Sequence, residues 1–309
     1  MENDFVELER RLVIGLNEQL SLGSRKDLIL KGINLSEIAK EIPNFRMYSR
    51  ETRDILHWLS CGRKNSIIWY GDSDFPKFAP LKSRLPYFLL CQGQKPNIRN
   101  EYVGIVGTRH ATYQGLQQAY RLGLESSENG ISIISGFAEG IDQAGMRGCL
   151  DGYSPCIGVL ACGHNIEYPS LTSNLRERII DQGGTILSRF APYQEAYKSN
   201  FIARNMIIAA YSNFIVAVQA PRNSGTLNTC EYANQLGKNV FVANEGIGDR
   251  YAQFGTSQLF REGAKVIFSM SECYDLALSK CVGEVSVPIG TSGYKRFGDR
   301  MYMVRDAQN

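Results

Sequence analysis

Histidine and tryptophan are scarce in this chain, with three and two among 309 residues. His57, His110 and His164 stand far apart, and the eight cysteines (61, 91, 149, 156, 162, 230, 273 and 281) form no C-x-x-C pair. That spacing fits no common structural zinc module, so neither a metal site nor a cofactor is expected. Unpaired cysteines of this kind read as mostly buried thiols of a reducing cytoplasm. No apolar run of about 18 residues occurs, which argues against a membrane span. The opening Met1-Glu2-Asn3-Asp4 lacks the basic and apolar regions of a signal peptide. Charge of one sign is also in short supply. With 34 Lys+Arg against 31 Asp+Glu, the surplus of +3 is too small to mark a polyanion binder by its overall field. Residues 61–100 carry 7 basic and 2 acidic side chains, whereas 101–280 carry 14 and 16. Any affinity for a polyanion must therefore come from a few placed groups.

What is present is an ordinary globular composition, 43% hydrophobic and 21% charged. Residues 1–60 read as short helices: Phe5, Leu8, Leu12 and Leu16 fall at helical spacing, and the run Ser36–Ile42 stops at Pro43. They form a small helical domain, either a packing and dimerisation element or a SAM- or helix-hairpin-like module. A basic, proline-punctuated stretch at 61–100 leads into the main domain through two strand-like runs, 67–70 and 87–90. From 102 to 268, seven apolar runs begin near Tyr102, Ile131, Cys156, Thr185, Phe214, Asn239 and Lys265, with helical segments between most of them. Strands apolar on both faces and joined by helices mean an α/β fold, an extended Rossmann-like parallel sheet covered on both sides. The main domain is assigned to 61–280. Residues 281–309 read as a short tail with no room for a winged-helix module.

In such a sheet, ligands bind at the carboxyl ends of the strands. Four of those junctions are rich in small residues: 104–109, 135–142, 160–163 and 224–229. Glycine lets a phosphate approach the backbone, and free N–H groups at helix N-termini favour the anion. The sequence contains no G-x-x-x-x-G-K-[ST] run, and the first loop lacks the third glycine of a dinucleotide fingerprint. The expectation is a phosphate-binding rim for a nucleotide or a nucleic acid. Arg109 is placed to clamp a phosphate. Asp142 is assigned to orienting neighbouring donors, and Arg204 to helix anchoring or ligand contact. Tyr168, Phe201 and Phe190 are either base-stacking groups or core. His164 is read as a solvated loop residue.

Gly107-Thr108-Arg109, Ser135 through Asp142, Tyr168-Pro169, Phe201 with Arg204-Asn205, and Ser224-Gly225-Thr226 with Thr229 follow one another as in the DprA/Smf family of DNA-processing proteins. Tyr70 through Pro76, Pro86 through Leu89, and the run 259–264 are similar to that family's flanking motifs. The resemblance covers roughly 66–268. It implies a cytoplasmic, non-enzymatic homodimer that binds incoming single-stranded DNA and loads the RecA recombinase during natural transformation. Carried over by position, the DNA-binding residues are Gly107, Arg109, Ser135, Gly136, Gly140, Arg204, Ser224, Gly225 and Thr226. The implied dimer surface lies near Leu259, Phe260 and Val266.

The chain departs from the family pattern at Gly145 (usually His), Ser170 (often basic), Ser188-Arg189-Phe190 (usually Ser-Glu-Tyr) and Met206 (usually Arg). Two basic groups are lost and Arg189 is gained. Each lost phosphate contact is expected to lower the salt slope of binding by about one. Two other functions fit the same fold. A LOG-like phosphoribohydrolase needs P-G-G-x-G-T-x-x-E, but here Thr229 stands at the glutamate position and Glu231 comes two residues late. A nucleotide-sensing module acting through a partner is the third reading.

Overall fold

A computed structural model describes residues 2–62, 64–76, 85–98, 100–170, 172–273, 294–297 and 300–303, with backbone alone at 2, 3, 294–297 and 300–303. Four helices come first: α1 (Glu2–Leu16), α2 (Leu22–Leu30), α3 (Leu35–Glu41) and α4 (Arg50–Cys61). Side-chain caps start three of them, Ser21 accepting from Ser24 N–H, Asn34 from Ser36 N–H and Ser49 from Thr52 N–H. Next come β1 (Asn65–Trp69), β2 (Phe88–Gly93) and β3 (Tyr102–Val106), followed by α5 (Tyr113–Glu128), β4 (Ser132–Ser135), α6 (Ile141–Asp151) and β5 (Ile157–Val159). The alternation continues with α7 (Ser173–Asp181), β6 (Thr185–Ser188), α8 (Lys198–Tyr211), β7 (Phe214–Ala217) and α9 (Gly225–Gln235). The last elements of the main unit are β8 (Val240–Ala243), α10 (Phe254–Arg261) and β9 (Lys265–Ile267).

Nine strands make one sheet in the order β1-β2-β6-β5-β4-β3-β7-β8-β9. The seven strands β3 to β9 pair in parallel, as their unbroken apolar runs require, and β1 and β2 join antiparallel beside β6. The sheet is thus mixed rather than purely parallel. Strand order reverses between β3 and β7, and that reversal splays the loops apart at their carboxyl ends.

The two antiparallel strands show why the first helices exist. Alternate residues of β1 and β2 feed two different cores. Ile68, Leu89 and Cys91 pack with α8 and the main sheet, while Ile67, Trp69, Phe88 and Leu90 pack with Leu12, Ile55 and Trp58 of α1 and α4. The four helices are one covering layer of the sheet, and Met1–Cys273 form a single compact unit. Tyr274–Asn309 form a second unit, described only as the antiparallel hairpin β10 (Tyr294–Phe297) and β11 (Arg300–Met303). The rest of the expected tail, 281–309, lies outside the described residues. So do Arg63, Lys77, Lys82, Arg84 and Arg99 of the basic lead-in.

Six of the seven described cysteines are buried free thiols, and Cys61 is exposed. His164 corrects its sequence reading: it is 8% exposed, not a solvated loop residue. Its ring lies 4.6 Å from that of Trp58, and its Nε2 is 3.2 Å from the Ile186 carbonyl. No helix of the described residues is long and apolar enough to cross a membrane. Among the described residues, no group of three His, Cys, Asp or Glu side chains could hold a metal ion.

Candidate nucleic-acid interface

A cleft of about 590 Å³ opens at the reversal point between β3 and β7. Its walls are the loop after β3 (Gly107 to His110), one face of α8, and the start of α9 (Asn223 to Thr226). The α8 contribution follows helical geometry: Lys198, Phe201, Ile202, Asn205 and Ile208 recur at three- and four-residue spacing and so share one face.

The electrostatics divide the cleft into a closed floor and an open rim. Asp142 lies in the floor, 4% exposed, and accepts the N–H groups of Gly107 (3.2 Å) and Gly136 (3.1 Å). Arg204, equally buried, donates through Nη1 to the carbonyls of Gly136 and Val159 and through Nε to Asn205 Oδ1. Burial pushes the Asp142 carboxyl up and the Arg204 guanidinium down, and the attraction between the two opposes both shifts. Asn205 then donates to the Gly225 carbonyl at 2.9 Å, which ties the floor to the start of α9.

The expectation of four open N–H cradles is corrected by these bonds. Besides the two donors taken by Asp142, Thr108 N–H goes to the Gln219 carbonyl and Ile141 N–H to the Thr108 carbonyl. Gly140 has φ +85°, and a side chain there would meet the Thr108 carbonyl oxygen at 2.6 Å, so glycine is what lets the second loop close on the first. Ser135 is fully buried with its hydroxyl donated to the Ile105 carbonyl. Neither it nor Gly136 nor Gly140 lines the cleft. The third loop is sealed as well, with Gly163 N–H bonded to the Gln194 carbonyl and the Cys162 carbonyl accepting from Ser188.

The helix N-terminus at the fourth loop has no side-chain cap. Ser224 is the N-cap of α9, but its side chain makes no capping bond, and its Oγ is buried without a partner among the described residues. The first-turn N–H groups of Gly225 and Thr226 therefore have no side-chain acceptor, and all three residues line the cleft. Arg109 and Lys198 stand exposed at the same cleft, and neither makes an ion pair among the described residues. The guanidinium groups of Arg109 (5.2 Å) and Arg204 (5.8 Å) both approach the Phe201 ring, with Tyr168 edge-on at 5.5 Å.

Of the residues expected from sequence, Gly107, Arg109, Arg204, Ser224, Gly225, Thr226, Tyr168 and Phe201 meet in this cleft. Sequence reasoning missed Lys198 and Asn228, and it left Asn205 without a role. Lys198 was within reach, because it lies one helical turn before Phe201. Phe190 is buried away from the cleft. Arg189 does not replace a lost basic group there, since it reaches Glu18 of the N-terminal layer at 3.1 Å. Met206, 1% exposed, belongs to the core, and a side chain on Gly145 would come within 2.9 Å of Ile105. Leu259, Phe260 and Val266 sit at the far end of the sheet, where Phe260 is 48% exposed.

Protein Smf of Synechocystis is 35% identical over 210 residues, covering 65% of this chain and 51% of that protein. The DNA processing protein DprA of Streptococcus pneumoniae is 32% identical over 184 residues, covering 60% and 64%. These matches thus span between half and two thirds of the curated relatives' length. The solved structure of the Streptococcus pneumoniae protein superposes with a TM-score of 0.71 at 24% identity, over 89% of this chain and 97% of that one. DNA processing protein A from Helicobacter pylori, described for its single-stranded DNA binding mode, gives 0.61 at 28% identity, over 72% and 98%. The model of the DNA recombination-mediator protein A family matches residues 66–277, and this chain belongs to that family.

Proposed function

We propose that this protein binds single-stranded DNA in the cleft between β3 and β7 and mediates recombination without catalysing a reaction. The observation that carries this reading is the open rim: the uncapped N-terminus of α9 with Ser224, flanked by Arg109 and Lys198. Backbone donors and two cations hold phosphates regardless of sequence. Phe201 and Tyr168 supply aromatic faces on which any base can stack. The Helicobacter pylori relative, with its single-stranded DNA binding mode, supports the same substrate. The proposal extends to loading of the RecA recombinase in the cytoplasm. It also includes a homodimer formed at the exposed edge of β9, near Leu259, Phe260 and Val266.

Hydrolysis fits the cleft less well. The carboxylate lining it belongs to Asp142, which is buried and already accepts two N–H groups. Glu231, the acid nearest the glutamate position of the hydrolase signature, is exposed outside the cleft and accepts from Gln235. Among the described residues lining the cleft, no carboxylate is therefore free to act as acid or base on a glycosidic bond.

The test is single-strand binding titrated against salt. Arg109→Ala and Lys198→Ala should each weaken binding and lower the log–log salt slope by about one. Wild-type affinity and slope in both variants would sink the assignment.

A further inference from the structure

A second groove of about 550 Å³ runs between the first turns of α5 and α6, lined by Leu116, Gln117 and Tyr120 on one side and Gln143 and Arg147 on the other, with Gly140 at its head. Both helices begin at carboxyl ends of strands, so the groove opens on the same edge of the sheet as the cleft. A single backbone crest divides them. The loop Gly107 to His110 walls the cleft and continues through Thr112, the N-cap of α5. Gly140 closes against the carbonyls of Thr108 and Arg109 so tightly that no side chain fits between. At Gly140 the crest carries no side chain, while Arg109 and His110 stand exposed on the loop beside it.

The groove's side chains suit a nucleic-acid strand. Tyr120 is 37% exposed, and its hydroxyl is held by Asp151 at 2.6 Å. That carboxylate is also engaged by Arg178 at 2.6 Å, so its charge is answered before a phosphate arrives. The ring is therefore tethered at one end and open to stacking. Arg147 is exposed, makes no ion pair among the described residues, donates to the Gln143 carboxamide oxygen at 3.5 Å and adds to the positive field at Asp151. The carboxamides of Gln117 and Gln143 offer hydrogen-bonding groups beside it. An aromatic face next to an exposed cation, continuous with a phosphate-holding cleft, is the arrangement that guides a single strand beyond its anchor.

We infer that single-stranded DNA held at Arg109 crosses the Gly140 crest and continues along the α5–α6 groove, with a base on Tyr120 and a phosphate at Arg147. This inference rests on the cleft being the anchor for single-stranded DNA. It predicts a dependence on oligonucleotide length that the cleft alone would not produce. Anisotropy titrations with oligothymidylates, from about four nucleotides up to about sixteen, span the usual site sizes of single-strand modules. Wild-type affinity should rise as the strand becomes long enough to leave the cleft. Tyr120→Leu and Arg147→Gln should each remove about tenfold of that gain while leaving the shortest oligonucleotide unaffected. Arg147→Gln is a surface change that leaves the Tyr120 tether in place, so its result stands if Tyr120→Leu perturbs folding. Length-dependent binding that neither variant alters would overturn the groove path and leave the cleft intact. A wild-type protein that binds no oligonucleotide of any length would overturn both.

Discussion

Asp142 and Arg204 show what a few residues of this site are for. Both are buried and bonded to backbone at the floor of the cleft. Asp142 gathers two backbone N–H groups from different strands, and Arg204 gathers two carbonyls, so together they lock the loops after β3, β4 and β5 against one another. Removing one partner of a buried pair leaves the other charge uncompensated. Asp142→Ala should therefore cost about 3–5 kcal/mol in chemical denaturation, more than an exposed Arg109→Ala, whose effect belongs to binding. Equal stability of Asp142→Ala and wild type would refute the locking role. The sequence named Asp142 as an orienting group, because a carboxylate is an unsuitable phosphate ligand. It left Arg204 open between anchoring and contact, since burial is not written in a motif. Three-dimensional packing shows the anchoring bonds of Arg204, which also borders the cleft.

At the level of elements, His164 joins the loop after β5 to α4. It lies buried against Trp58, its Nδ1 has no partner among the described residues, and burial holds its pKa down to about 4 from 6.5. The folded state thus keeps the ring neutral while the unfolded chain takes up a proton below pH 6.5. The unfolded state binds more protons in that window, so stability falls as pH drops from 6.5 toward 4 and is fully present above 6.5. The loss attributable to this ring is on the order of 3 kcal/mol. His164→Gln, which retains an N–H donor for the Ile186 carbonyl, should flatten the stability profile between those pH values in urea titrations. An unchanged slope would show that the ring titrates normally. The helix α8 is the counterpart case for legibility. Its apolar run was plain in the sequence, yet the face carrying Lys198, Phe201 and Asn205 became meaningful only when the sheet reversal set a cleft beside it.

Taken as a whole, the first sixty residues belong to the compact unit Met1–Cys273 and share a core with the sheet. Leu12, Ile55 and Trp58 cover Ile67, Trp69, Tyr87, Phe88 and Leu90. Each large side chain buried this way contributes about 1.5–3 kcal/mol. A chain beginning at Gly62 would bare that apolar face beside an antiparallel edge strand, a condition that promotes aggregation. Such a truncation should lose solubility or cooperative melting. A monomeric truncate melting like the full chain would show that the helices are an independent domain. The alternation in β1 and β2 already carried this information: both strand faces are apolar, so both must be covered. The sequence reading set residues 1–60 apart as a small helical domain from spacing alone, without their packing partners, and the truncation tests that division. By itself the sequence determined the order of strands and helices, the loop motifs and the family resemblance, because these depend on local periodicity and residue type. Only the tertiary structure decided which loop donors remain free. A backbone N–H has the same formula in every loop, and whether it meets an anion or Asp142 depends on partners brought together from distant positions in the chain.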